Sequence, residues 1–220
     1  MPLDVVLIVC AILGMLLAPI IALRESNLKR MFAWSSVAQI SYILMAIGLG
    51  TSAGVAAGLI HLFNHSIVKA MIFMAVGILI ARTGTARIKH LGSVAHYHRL
   101  ACYIMLFGGL GLIGIPGTVG FVSKWVLVTA AVDKGWWWLA IPVLSGSLAS
   151  ATYIWRIVET LWAKPADLDL DRPADPVEVV EWLPLIVLTL VALWFGLNAS
   201  LSIDLANQAA QALVSETFLK

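Results

Sequence analysis

Apolar residues run along this chain in long blocks, and polar residues gather between the blocks rather than recurring every third or fourth position. Positions 3–23, 31–49, 53–81, 101–131, 138–162 and 183–199 each hold about 20 residues or more with few charges. An α-helix rises about 1.5 Å per residue, so about 20 apolar residues cross a hydrocarbon layer about 30 Å thick. The pattern predicts an all-α fold, a polytopic membrane helix bundle of about six spans. The fourth block is too long for one straight crossing and carries Gly114, Pro116, Gly117 and Gly120 near its centre. Proline removes a backbone donor and clashes with the preceding turn, while glycine tolerates unusual backbone angles. This span is therefore expected to be discontinuous, and non-helical backbone at membrane depth persists only where protein or a water-filled cavity satisfies it.

Composition agrees: of 220 residues, 61% are hydrophobic and 12% charged, and the mean hydropathy is +0.96, far from soluble norms. A net charge of +2 with scattered positive residues excludes a nucleic-acid-binding role. Arg24, Lys29 and Arg30 fall in one loop, Arg82, Arg87, Lys89 and Arg99 in a second, Lys164 and Arg172 in a third. By the positive-inside rule these loops face the cytoplasm, which leaves Lys134 and Lys220 opposite and puts both termini outside. The first block lacks a basic leader and a small-residue cleavage pattern, so it is expected to span rather than be removed. Trp136, Trp137 and Trp138 suit anchoring at the outer interface. Three regions follow: a five-helix unit over 1–163, a polar cytoplasmic loop over 164–182, and 183–220, a last span with a short helix at 204–214 on the outer surface. Cys10 and Cys102 are expected at different depths, with no disulfide and no metal site.

His61, His65 and Lys69 are spaced four residues apart within the third block. They share one helical face as a polar ladder roughly 12 Å long. A central lysine costs at least about 2.5 to 3.5 kcal/mol in a bilayer, so intramembrane ionisable groups point to ion or proton paths. Histidine exchanges protons near neutral pH, and water would complete a wire between rungs about 6 Å apart. Snorkelling of Lys69 to an interface is the bland alternative, as is interhelical hydrogen bonding for either histidine alone. Lys124, just after the expected break, is a second buried candidate, and the positive N-terminal end of the following half-helix would lie near it. Lys29, at the cytoplasmic mouth of the second span, serves topology or a relay. Ser35, Ser36, Gln39, Tyr42, Asn64, Ser66, Ser123, Thr129 and Tyr153 read mainly as packing groups that could hold water. Arg156 and Glu159, three apart, suggest an interfacial pair. No carboxylate falls at the centre of a span, which makes a poor site for sodium, a cation that prefers oxygen ligands. There is no cysteine cluster for iron and sulfur, no glycine-rich dinucleotide fingerprint and no haem ligation, so no cofactor and no redox enzyme of its own is expected.

Residues 28–40, LKRMFAWSSVAQI, resemble the LKRLLAYSSVSQIGY element of the antiporter-like subunits of respiratory complex I and of Mrp-type multisubunit sodium/proton antiporters. His61 to Ala70, HLFNHSIVKA, resemble the His-x-x-x-His-x-x-x-Lys helix of that family, and Gly114 to Trp125, GIPGTVGFVSKW, resemble its broken helix with a terminal lysine. The resemblance implies a proton path through His61, His65, Lys69, Lys124 and Lys29 in a multi-pass subunit of the cell inner membrane. Lys124-Trp125, with no acid after the lysine, resembles the D-type branch of the Mrp subunits more than the outermost complex I subunit. Family members have two inverted repeats, each supplying half of the path. This chain resembles the second repeat plus the last helix, and Asn27 stands where Asp often precedes the Leu-Lys-Arg run. The resemblance thus implies partner membrane subunits, including a chain that supplies the first repeat. It implies a proton-translocating half-channel of a cation/proton antiporter; the alternatives are a membrane-arm subunit of a complex I-like dehydrogenase or hydrogenase, and a structural scaffold with a vestigial ladder.

Overall fold

The computed structural model describes residues 2–163 and 179–218, and these are helical apart from short connections. Lys164, Arg172, Lys220 and most of the expected 164–182 loop lie outside the described residues. The helices are α1 (Pro2–Arg24), α2 (Leu28–Gly48), α3 (Ser52–Thr83), the short α4 (Val94–Tyr97), α5 (Arg99–Ile113), α6 (Val119–Asp133), α7 (Ala140–Trp162), α8 (Val179–Leu197) and α9 (Ser200–Phe218). Five of them, α1, α2, α3, α7 and α8, are long and apolar enough to cross a membrane. The expected fourth span is split into α5 and α6, of 15 residues each.

Local chemistry places the ends. Asn27 caps α2 by accepting from the backbone N–H of Lys29 and Arg30 at 3.0 and 3.2 Å, so an amide in place of an acid still serves the cap. Thr51 caps α3 in the same way. Gly114 ends α5 with a φ of 87°, a left-handed conformation that suits glycine. Where α6 turns back across the end of α5, Gly120 lies directly against the Gly111 carbonyl, with no room for a Cβ.

The basic loops meet at one end of the bundle. An isolated antiparallel bridge pairs Asn27 with Arg87, and Leu28 donates to the Ala86 carbonyl and Ile88 to that of Ser26. Glu181, expected in the polar loop, instead sits in the first turn of α8 and pairs with Arg82 at 2.5 Å. A carboxylate there complements the positive helix end, so α8 begins at Val179 rather than at 183. Arg156 does not pair with Glu159. Its guanidinium donates to the Leu23 carbonyl and, at 2.8 Å, to that of Glu25, while Glu159 accepts from the Trp155 indole at 2.6 Å. The Leu23 carbonyl at the end of α1, left without a helical partner, and the Glu25 carbonyl just beyond it take the guanidinium in place of the carboxylate.

Two large apolar clusters and a smaller one under the last helix fill the bundle. One, around Phe32, Met71, Met105 and Leu161, lies toward the basic end; the other, around Met15, Tyr42, Met45 and Leu127, lies toward the opposite end. The outer surface is apolar too, with Leu13, Leu17, Leu148, Trp155 and Leu190 all more than half exposed. That inverted surface fits lipid rather than water. Trp137 and Trp138 are exposed, but Trp136 is partly buried under the Lys134 ammonium, 3.7 Å from its ring centroid, and so packs rather than anchors. The last helix spans Ser200–Phe218, longer than the expected 204–214, and buries Ala206 and Ala210 against Ala56 and Ile60 of α3.

Candidate functional site

Between the two apolar clusters lies a buried polar layer built from α2, α3, the α5–α6 break and α7. Lys69, 7% exposed, projects from the middle of α3 toward α2. Its Nζ donates to the Phe32 carbonyl at 2.6 Å and to the Ser35 hydroxyl, and lies 5.5 and 5.6 Å from the ring centroids of Phe32 and Phe73. It is held inside the bundle, not snorkelled to an interface.

Lys124, 6% exposed, occupies the second turn of α6. Its three donors are all used: Leu112 and Ile113 carbonyls at 2.7 and 2.9 Å and the Ser147 hydroxyl at 2.9 Å. The ammonium therefore sits on the open carbonyl end of α5, where the helix dipole is negative, and not at the positive end of α6. The break supplies these acceptors: stopping α5 at Gly114 frees the carbonyls that Lys124 takes. Gln39 also donates to Leu112 O, at 3.2 Å.

His61, 3% exposed, shares its Nδ1 with the Ser123 hydroxyl at 2.8 Å. Its buried Nε2 has no hydrogen-bond partner. The Tyr42 ring lies beside both His61 and Lys124, its centroid 5.3 Å from that of His61 and 4.7 Å from Lys124 Nζ. The His61 and His65 rings are parallel with centroids 6.3 Å apart, so no direct hydrogen bond joins them. His65 is only partly buried, and its buried Nδ1 has no partner. Asn64 ties α3 to the start of α6 by donating to the Val119 carbonyl at 2.8 Å, which fixes His61 opposite Ser123.

The structure thus brings His61, Lys69 and Lys124 into one buried layer, with His65 at its edge. Lys29 is exposed on the first turn of α2 and stands apart from it. Sequence reasoning missed Ser147, the hydroxyl that holds Lys124. The signal for it was its place on α7 three residues before Ser150, on one helical face. Neither lysine has a carboxylate within ion-pair distance among the described residues; ion pairs there join Arg30 to Glu25 and Arg82 to Glu181, at the basic end.

Residues 2–150 match the family profile described as "NADH:quinone oxidoreductase/Mrp antiporter, TM". NADH-quinone oxidoreductase subunit N of Desulforudis audaxviator is 32% identical over 151 residues, covering 69% of this chain and 30% of that protein. A chain of the membrane-bound sulfane sulfur reductase, an archaeal respiratory membrane complex, superposes with a TM-score of 0.85 at 31% identity, over 96% of this chain and 42% of that one. A chain of the Mrp complex from Dietzia sp. DQ12-45-1b gives a TM-score of 0.84 at 24% identity, over 94% of this chain and 46% of that one. This chain spans less than half the length of each of these relatives.

Proposed function

The chain belongs to the NADH:quinone oxidoreductase/Mrp antiporter transmembrane family, and we propose that it forms a proton half-channel in a multisubunit membrane complex. One observation carries this proposal: two buried lysines bracket a histidine pair, and both are held by neutral carbonyl and hydroxyl oxygens. A lysine locked to a carboxylate would leave a buried anion behind on losing its proton, at a cost of several kcal/mol. A lysine on neutral oxygens can alternate between its charged and neutral forms. Protons move between Lys124 and Lys69 by way of His61 and His65, with water filling the 6.3 Å between the histidine rings. Lys29 exchanges them at the mouth on the basic, cytoplasmic side.

The half-channel is completed by helices equivalent to the family's first repeat, within a complex of several membrane subunits. The partly exposed His65 supports this, since it opens on a face of α3 that also presents Leu62, 50% exposed. The setting is the cell inner membrane, and the chain itself carries no redox centre.

For the complex served, a monovalent cation/proton antiporter is supported by Lys124 being followed by Trp125. A redox-driven complex is supported by the higher identity to the sulfane sulfur reductase chain, 31% against 24% for the Mrp chain. Purification of the native complex and identification of its chains separates the two: small antiporter subunits point to the first, iron-sulfur subunits to the second. Proton flux through the reconstituted complex tests the half-channel itself, and wild-type flux in Lys69→Ala would refute it.

A further inference from the structure

Ser123 is fully buried on α6, one residue before Lys124, and two polar contacts converge on its hydroxyl. His61 Nδ1 lies 2.8 Å from Oγ, and Oγ reaches the Gly120 carbonyl one turn back at 3.3 Å. A serine hydroxyl holds one proton, so it donates once and accepts on its lone pairs. With that proton on the Gly120 side, the hydroxyl accepts from Nδ1–H, both contacts are hydrogen bonds, and only the Nε2 lone pair is left over. With the proton directed at His61, the Gly120 bond is lost and the ring carries its own proton at Nε2, which is buried without a partner. The first arrangement makes two bonds where the second makes one, and buried N–H groups without an acceptor are rare in folded proteins. The pairing is held from one turn away, where Asn64 donates to the Val119 carbonyl at 2.8 Å.

We propose that Ser123 is a positioning residue that holds His61 as the Nδ1–H tautomer, leaving Nε2 as the single atom through which His61 takes up and releases protons. The hydrogen bond made by one ring nitrogen sets the state of the other. A proton from the Lys124 ammonium, passed through water, forms an N–H bond at Nε2 and leaves a neutral amine behind. The imidazolium then breaks that same bond and gives the proton to water on the way to His65. Nδ1–H stays on Ser123 throughout, so neither the ring nor the tautomer has to reset between protons. Adjacent residues of α6 thus serve both ends of one step: Ser123 orients the acceptor and Lys124 carries the donor, with the Tyr42 ring against both His61 and Lys124.

The inference rests on the half-channel proposed above, and the experiment keeps the two apart. The native complex, carrying ¹⁵N-labelled histidine, is measured by solid-state NMR at about pH 8.5, where an ordinary histidine is neutral; the signal missing from His61→Gln is that of His61. Expected is the Nδ1–H tautomer alone in the wild type, a result that needs no variant of Ser123 to fold. Ser123→Ala frees the ring, so an Nε2–H population appears, and proton flux in liposomes falls about 10-fold, the scale of losing the hydrogen bond that orients a functional histidine. In the His61→Gln background Ser123→Ala lowers flux no further, because its effect passes through His61, whereas a packing role would cost the same in both; thermal unfolding of each complex reports folding. Nε2–H, both nitrogens protonated, or a mixture at His61 in the wild type overturns the inference, as do wild-type flux in Ser123→Ala and an equal loss from Ser123→Ala in both backgrounds. Wild-type flux in Lys69→Ala and Lys124→Ala, with the tautomer as expected, instead overturns the half-channel itself.

Discussion

Lys124 Nζ donates to the Leu112 carbonyl at 2.7 Å, so the cation carried by α6 closes the open end of α5. The helix break and the lysine are thus one device. The break exposes carbonyls that need a donor, and the lysine needs acceptors that carry no formal charge. Lys69 repeats the arrangement on the Phe32 carbonyl of α2, without a break.

In the proposed half-channel, replacing either lysine removes a proton carrier while leaving its acceptors tolerable. In Lys124→Ala, Gln39 still donates to Leu112 O at 3.2 Å, so assembly survives. Proton flux is expected to fall by about 100-fold or more in Lys69→Ala and in Lys124→Ala, the loss typical of a removed proton-transfer group. Lys29→Ala, at an exposed site, gives a partial loss only. Flux assays on reconstituted complex, with subunit composition checked on a gel, measure all three.

For the histidines, His61→Gln and His65→Gln each keep a hydrogen-bonding group and remove a titratable one. Flux falls in each, further in the double variant, and less in either single variant than in Lys69→Ala, because water bridges one missing rung. His61→Gln is also expected to hurt more than His65→Gln, since His61 is locked to Ser123 at 2.8 Å and His65 opens outward. If the histidines only tie helices together, Gln is silent in flux and His65→Leu lowers the melting temperature.

Gly120→Ala drives a Cβ into the Gly111 carbonyl, and backbone cannot move aside as a flexible side chain can. Overpacking of this kind costs about 1–3 kcal/mol. A lower melting temperature of the complex, together with reduced flux as Lys124 is displaced from Leu112, is the expected result. Gly77→Ala is the control: its Cβ would meet nothing within 4 Å, and stability should hold or rise slightly.

Arg156→Ala leaves the Leu23 and Glu25 carbonyls without their guanidinium donor. Hydrogen bonds to a charged group contribute about 1.5–3 kcal/mol, so thermal unfolding should begin at a clearly lower temperature. Glu159→Gln should be near silent in the same assay, because Glu159 bonds Trp155 and not Arg156.

Hydropathy along the chain determined that helices cross a membrane and roughly where each apolar segment lies, since transfer of about 20 apolar residues into hydrocarbon is a property of the segment itself, though not the ends of α8 and α9. Gly114, Pro116 and Gly117 determined the break for the same reason: backbone freedom and a missing N–H are local. The four-residue spacing of His61, His65 and Lys69 fixed their common face, because helical geometry alone sets it. Partners were another matter. That Lys124 takes Ser147 and the α5 carbonyls, that Arg156 reaches Leu23 rather than Glu159, and that Trp136 packs under Lys134 all depend on which helices cross and at what height. A hydrogen bond needs its acceptor within about 3 Å, and no pattern along one segment reports the distance to another. The tertiary structure alone decided those contacts, and with them which polar residues face each other inside the bundle.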